Sequence, residues 1–505
     1  MILLLSVIIV LAWTVLFRYR RRNMYKLAAA IKTYRERECL PFIGLVHKLA
    51  CNTEDVEKLM EDASYAAIEN NGIVKGWGFN LLYFLVTDPA DVEVILKTCL
   101  EKDDVYRILR KFMQNGIVFA PVSIWRRRRK ILVPAFSPKI IENFVEVFSE
   151  QSEKLAQELI QHAGKENMMW PFISSYTLDA VCETAMGVKI NAQGNPNTPF
   201  LVAINHGLNL VCKRMYQVWL WPDWVFQLFP QFKEHEECKK IMFDFTDTII
   251  QKKRQDLITE KYNRPELDNK LDVYKKGSFL DLLIHISGGE NGYTNVELRE
   301  EVVILIGAGN DTSACAIGFT LKLLSKYPEV QEKVYQELVE VFDDVERPLI
   351  KGDLFKLKYL ERVIKESLRL FPPVPIIVRK ILEDIKLPSG RTLPAGTGVA
   401  VSIWGVHRDP NYWGPDAEHF DPDRFLPERF NLKHPCSYMP FSSGPRNCIG
   451  YQYALMSIKT SLASILRRFK VVGEPEKSPI PKMRLKVDIM LKAVDGYKVT
   501  LERRK

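Results

Sequence analysis

No stretch of this chain divides it. The 505 residues contain no Pro/Ser/Gly-rich linker, low-complexity run or repeat, so one large domain is expected where length alone suggests about three. Cysteine is sparse and unpatterned. Nine scattered residues, an odd number, exclude the disulfide framework of a small secreted scaffold and fit a reducing compartment. Acidic residues are missing from the first 35 positions, while Arg18, Arg20, Arg21, Arg22 and Lys26 fall there. These five charges account for much of the formal +9, and nucleic acid need not be invoked. Apolar material is not lacking: 47% hydrophobic against 26% charged residues supports a sizeable core and excludes disorder.

The chain opens MILLLSVIIVLAWTVLF and meets its basic cluster at once. With no small-x-small cleavage site, this reads as an uncleaved membrane anchor, residues 1–22, that leaves residues 23–505 on the cytosolic side. GIVKGWGFNLLYFLVTDP, residues 72–89, is rich in β-branched and aromatic residues and predicts a hairpin; DVEVILKTCL returns to helical spacing. From about 195 to 245 aromatic and basic residues mix without one clean period. The expectation is an access region that dips into the membrane through Trp219, Trp221 and Trp224, with an ordinary apolar core segment as the alternative.

Chemistry concentrates in four places. FSSGPRNCIG, from Phe441 to Gly450, sets Cys448 between Gly444 and Gly450 just ahead of a helix-forming run. Glycine suits a tight loop against a flat group, and unpaired N–H groups at a helix start favour a thiolate. Arg446 is placed to meet an anionic group on the same ligand. TNVE at Thr294 is a capping box that opens a helix to about Lys326, interrupted by AGNDT: Gly307 and Gly309 each cost about 1 kcal/mol in a helix, and a buried Asp311 and Thr312 need partners. IWRRRRKILVP puts Trp125 and Arg129 one helical turn apart, with Arg126, Arg127, Arg128 and Lys130 pointing elsewhere. KESLRL sets Glu366 and Arg369 at i,i+3, followed by LRLFPPVP and FDPDRF.

Phe-x-x-Gly-x-Arg-x-Cys-x-Gly resembles the haem-binding signature of the cytochrome P450 family, and Trp-x-x-x-Arg, AGNDT and Glu-x-x-Arg resemble its other motifs. The resemblance implies a mainly α fold with a smaller β-rich lobe, and haem b with Cys448 as axial thiolate. It makes Trp125, Arg129, Arg379 and Arg446 propionate partners, and Phe441 part of the apolar shell near the iron. Glu366 and Arg369 would join either Arg424 or Arg429 in a buried triad that positions the cysteine loop. The implied reaction is monooxygenation of a lipophilic substrate (fatty acid, hydrocarbon, terpenoid or xenobiotic) at the endoplasmic reticulum membrane. Electrons would come from NADPH through cytochrome P450 reductase docked on the basic face, with cytochrome b5 as an optional second donor, and protons would pass through Asp311 and Thr312. LRLFPPVP looks most like the animal branch that includes fatty-acid ω-hydroxylases and many insect enzymes, yet the glutamate with which many members esterify the haem is Ala308 here. A reductase-independent isomerase or dehydratase acting on peroxides, and a non-catalytic haem or ligand carrier, are the alternatives. Retention of Asp311 and Thr312 argues against the first, and the relay together with the basic face against the second. The departure from the family's proline-rich hinge, of which Pro41 and Gly44 remain, leaves the fold expectation intact.

Overall fold

The computed structural model describes residues 21–504, except 41–42, 50–51, 79–80, 264–276, 287–291 and 343–346, together with Ala12, Leu16 and Tyr19. Most of the expected anchor, and Pro41 of the hinge, lie outside the described residues.

The expected hairpin forms. Ile73–Gly78 pairs antiparallel with Leu81–Val86, in a register running from Ile73 opposite Val86 to Gly78 opposite Leu81. Along LLYFLV every second side chain is buried, the period-2 pattern of a strand with one face on a core. Leu81–Val86 continues into a four-stranded sheet through a parallel partner, Gly398–Ser402, and an antiparallel edge, Ile376–Lys380. A separate apolar cluster lies beneath this lobe, around Phe84, Val86, Val399 and Val401.

Helices make the rest. The central helix, Asn295–Lys326, starts at the capping box: Thr294 accepts from the Glu297 amide, and the Glu297 carboxylate accepts from the Thr294 amide at 3.0 Å. Thirty-two residues span roughly 48 Å, so this helix crosses the domain. Among the described residues it is the only helix long and apolar enough to cross a membrane, but 72% of its apolar window is buried inside the protein. It is a core helix. It packs against Trp170–Met186 on one side and Tyr451–Arg468 on another, within a core that also takes Leu360, Val363 and Ile364 of Lys358–Leu370. A second core holds its first half against Pro199–Tyr216, here called the access helix, and Pro230–Asn263. At Gly309 the central helix lies close against Trp170–Met186, since a Cβ there would sit 2.9 Å from the Val181 side chain.

Candidate active site

The cysteine loop is built by its own backbone. The Cys448 amide donates to the Phe441 carbonyl at 2.9 Å and the Asn447 amide to the Gly444 carbonyl at 3.1 Å. Gly444 has φ of +73°, and a Cβ on it would come 2.7 Å from the Leu96 carbonyl oxygen, so this position requires glycine. Gly450 does not match that expectation: its φ is −92° and it caps the helix Tyr451–Arg468. The second positive φ of the loop belongs to Ser442. Phe441 is partly buried against the main core. Cys448 lies deep in the protein yet keeps open surface on one side. Burial raises its thiol pKa, while the Gly450 amide and the nearby Arg129 charge lower it; the sulfur is held where an additional positive centre would make it a thiolate.

Among the described residues, positive charge collects around the loop in excess of the acids near it, of which Glu101 acts on Arg446. Arg446 is buried, gives one hydrogen bond to the Ala120 carbonyl at 2.8 Å, and leaves Nε and Nη1 unpartnered. Burial and the neighbouring Arg379 push it down to about 10. Arg379, on the sheet edge, is buried with Nε unpartnered. Lys102 forms a backbone bridge with Arg379 and is held far below its usual value, by burial first and then by Arg379 and Arg446. The acids on either side of Lys102 are engaged elsewhere: Glu101 accepts from the Val122 amide, Asp103 from Tyr83. Buried charges are ordinarily paired, so this set fits a ligand with carboxylates of its own. Trp125 joins it, with the Arg446 guanidinium 4.4 Å from its ring centre. Arg129 is turned to the loop instead, holding the Asn447 carbonyl at 3.0 Å and its side-chain oxygen at 2.7 Å.

The central helix packs against Tyr451–Arg468, the helix that follows the loop, and Ile449 of the loop joins the core around its first half. Leu305, Ala308, Gly309 and Thr312 alone keep accessible surface along an otherwise buried stretch, and their i, i+3, i+4, i+7 spacing makes one stripe. Each polar residue of AGNDT has a partner. Asn310 accepts from Thr177 at 2.6 Å, Asp311 pairs with Lys492 at 2.8 Å, and the Thr312 hydroxyl donates to the Ala308 carbonyl at 2.6 Å.

Behind the loop lies the buried triad. Glu366 and Arg369 form a fully buried two-point pair at 2.7 and 2.8 Å. Arg424 completes it, with Nε 3.6 Å from Glu366, whereas Arg429 is half-exposed and pairs with Asp421. His407 connects triad to loop. Its Nε2 accepts from the Met439 amide at 2.9 Å, so its proton sits on Nδ1, which faces the Arg369 carbonyl at 3.1 Å. Burial, then the Arg369 charge, lowers its pKa to about 3, which keeps the imidazole neutral and able to accept.

Two further expectations change. Arg128 is not on the basic face: it is buried and bridges Glu300 at 2.6 Å and Glu301 at 3.0 Å, while Arg127 reaches Glu297 and Arg126 and Lys130 stay exposed. Trp221 donates its indole N–H to the Met215 carbonyl, so of the three tryptophans Trp219 and Trp224 face outward, with Leu228 and Phe229 beside them. Lys102, His407 and Lys492 were not singled out from sequence. His407 lies in VHRDP beside the motifs; the two lysines carry no local signal.

The family model described as cytochrome P450 matches residues 41–501. Cytochrome P450 4d2 of Drosophila melanogaster is 36% identical over 479 residues, covering 92% of this chain and 93% of its own. Cytochrome P450 4V2 of Mus musculus is 37% identical over 440 residues, covering 86% and 82%. The solved structure of the cytochrome P450DA heme domain superposes with a TM-score of 0.79 at 21% identity, covering 94% of this chain and 98% of that one, a likeness of fold. A mostly helical protein with a cysteine loop and a long central helix is the haem-thiolate class. The chain belongs to the cytochrome P450 family, with insect and mammalian cytochrome P450 4 proteins among its relatives. It is a cytochrome P450 monooxygenase, whose cofactor is haem ligated by a cysteine thiolate.

Proposed function

We propose that Cys448 is the thiolate ligand and that Arg446, Arg379 and Lys102 hold the haem propionates, with Trp125 flanking Arg446 and Arg129 fixing the loop through Asn447. The observation that carries this is the buried positive cluster beside Cys448, in excess of the acids near it. When bound, haem supplies the oxygen-activating chemistry, and the thiolate's electron donation favours O–O cleavage. The protein supplies position and protons. Phe441 shields the sulfur, and Gly444 lets the loop lie against Leu96. Asp311 and Thr312 move protons toward the stripe of Leu305, Ala308 and Gly309; adjacent helical residues point about 100° apart, so the transfer between them runs through water.

The substrate is a lipophilic molecule, among fatty acids, hydrocarbons, terpenoids and xenobiotics, because the stripe that the central helix leaves open, Leu305, Ala308 and Gly309, is apolar. Electrons come from NADPH through a reductase that meets Arg126 and Lys130 on the basic face. Residues 1–22 anchor the catalytic domain, 23–505, to the endoplasmic reticulum, and Trp219, Trp224 and Leu228 add an apolar contact with lipid. A screen of substrate-induced haem spectral shifts, followed by turnover with reductase and NADPH, tests this reading. Product formed from a peroxide substrate without reductase, and none with it, would favour the isomerase reading. Fractionation of a chain lacking residues 1–22 tests the anchor: full retention on membranes would contradict it.

A further inference from the structure

The acid of the central helix is held by a residue from far along the chain. Lys492 lies on Leu491–Ala493, which pairs antiparallel with Leu485–Val487 to form a short hairpin. Its ammonium meets Asp311 Oδ1 at 2.8 Å and sits 4.1 Å from the Trp170 ring centre. Both side chains are largely buried, at 17% and 12% exposure. The same hairpin is tied to the access helix: the Tyr216 hydroxyl donates to the Val487 carbonyl at 2.9 Å and reaches the Asp488 carbonyl at 3.4 Å. A continuous chain of contacts therefore runs from the end of the access helix, through the hairpin, to the carboxylate.

We infer that Lys492 is a positioning residue that keeps Asp311 out of proton transfer until the hairpin shifts with the access helix. The inference rests on the reading of Asp311 as the acid of the relay. An ionised carboxylate accepts hydrogen bonds and has no proton to give, and a cation at 2.8 Å favours that ionised form. Moving Lys492 away leaves a buried carboxylate uncompensated, which favours protonation. The neutral carboxyl can then break its O–H bond toward a water leading to Thr312 and recover a proton from solvent. No co-reactant is needed. The other groups that face Asp311 are Cys315 on its own helix, Cys212 on the access helix and Tyr497 on the C-terminal segment, with Asp488 and Lys486 beyond, near Cys212. Burial opposes the Lys492 charge, yet Asp311, followed by Cys315, holds it above the usual value. Lys492 is the nearest cation of this group, so its removal has no ready substitute.

The test uses the haem-loaded full chain. Isotope-edited infrared spectroscopy follows the protonated-carboxyl band that Asp311→Asn deletes, and its pH midpoint reports the acid itself rather than turnover. Lys492→Met is expected to raise that midpoint by at least one pH unit, a tenfold change, and Lys492→Arg to restore it. With reductase but no substrate, hydrogen peroxide released from NADPH is expected to rise severalfold in Lys492→Met, and less in Tyr216→Phe. Should Lys492→Met fail to load haem, Lys492→Gln carries the same expectations. An unmoved midpoint, or a moved midpoint with parental peroxide release, overturns the inference. Asp311→Asn separates the two levels: if it turns over like the parent, the relay reading fails and this inference with it. If it slows turnover while Lys492→Met changes nothing, only the present inference fails.

Discussion

Arg369→Met tests whether the triad orders the cysteine loop. The Arg369 guanidinium makes five hydrogen bonds: two to Glu366 at 2.7 and 2.8 Å, and one each to the carbonyls of His407, Ala417 and His419 at 2.8, 2.6 and 3.0 Å. Methionine fills much of the volume but donates nothing. Removing one partner of a buried ion pair costs about 3–5 kcal/mol, and three carbonyls left without that donor add about 1 kcal/mol or more each. The total, roughly 6–8 kcal/mol, is comparable with the whole margin of about 5–15 kcal/mol that keeps a domain folded. Arg429→Met, by contrast, breaks a half-exposed pair with Asp421, which contributes about 0–1 kcal/mol. Urea unfolding of the haem-loaded proteins, followed by both circular dichroism and haem absorbance, separates these cases. Arg369→Met is expected to load little haem and to lose most of its urea resistance, and Arg429→Met to match the parent. Because His407 joins the Arg369 carbonyl to the Met439 amide, haem absorbance should be lost no later than helicity. Equal urea midpoints for the two variants would refute the reasoning.

Thr312→Ala should keep fold and haem while product per NADPH falls, as general acid positioning is worth about 10²–10⁴-fold; parental coupling would move the relay elsewhere. Acidic organic extraction of the native protein should release unmodified haem, because Ala308 carries no carboxyl; haem retained on a peptide spanning 305–312 would contradict this. Burial pushes Glu301 up to about 7 against the opposing charge of Arg128, whereas an unfolded glutamate titrates near 4.3. Its contribution to stability is therefore complete below about pH 4.3 and is lost as pH rises through about 7. Glu301→Gln should flatten the stability profile across that window, and an unchanged slope in urea titrations would dispose of the assignment.

Local signals were legible in sequence because they depend on neighbours in the chain. The capping box of Thr294 and Glu297, the hairpin after Gly72 and the ten-residue cysteine loop each act within a few residues. What sequence left open was decided by partners far away. Arg128 leaves the basic face because Glu300 and Glu301, more than 170 positions on, provide buried acceptors, and no pattern in RRRR distinguishes it from its neighbours. Arg424 rather than Arg429 meets Glu366 because Asp416 and the Trp413 carbonyl hold its guanidinium inward. Lys102 and Lys492 carry no local pattern that sets them apart from other lysines of the chain. Only the fold brings the one to Arg379 and the other to Asp311.

The most direct measurement of the central claim is the spectrum of the reduced carbon monoxide complex, recorded for the parent and for Cys448→His. The parent should show the red-shifted Soret band of thiolate ligation, and Cys448→His should keep haem, held by the propionate cations, while losing that band. A parent without the red-shifted band in folded protein, or a Cys448→His variant that retains it, would contradict the assignment of Cys448.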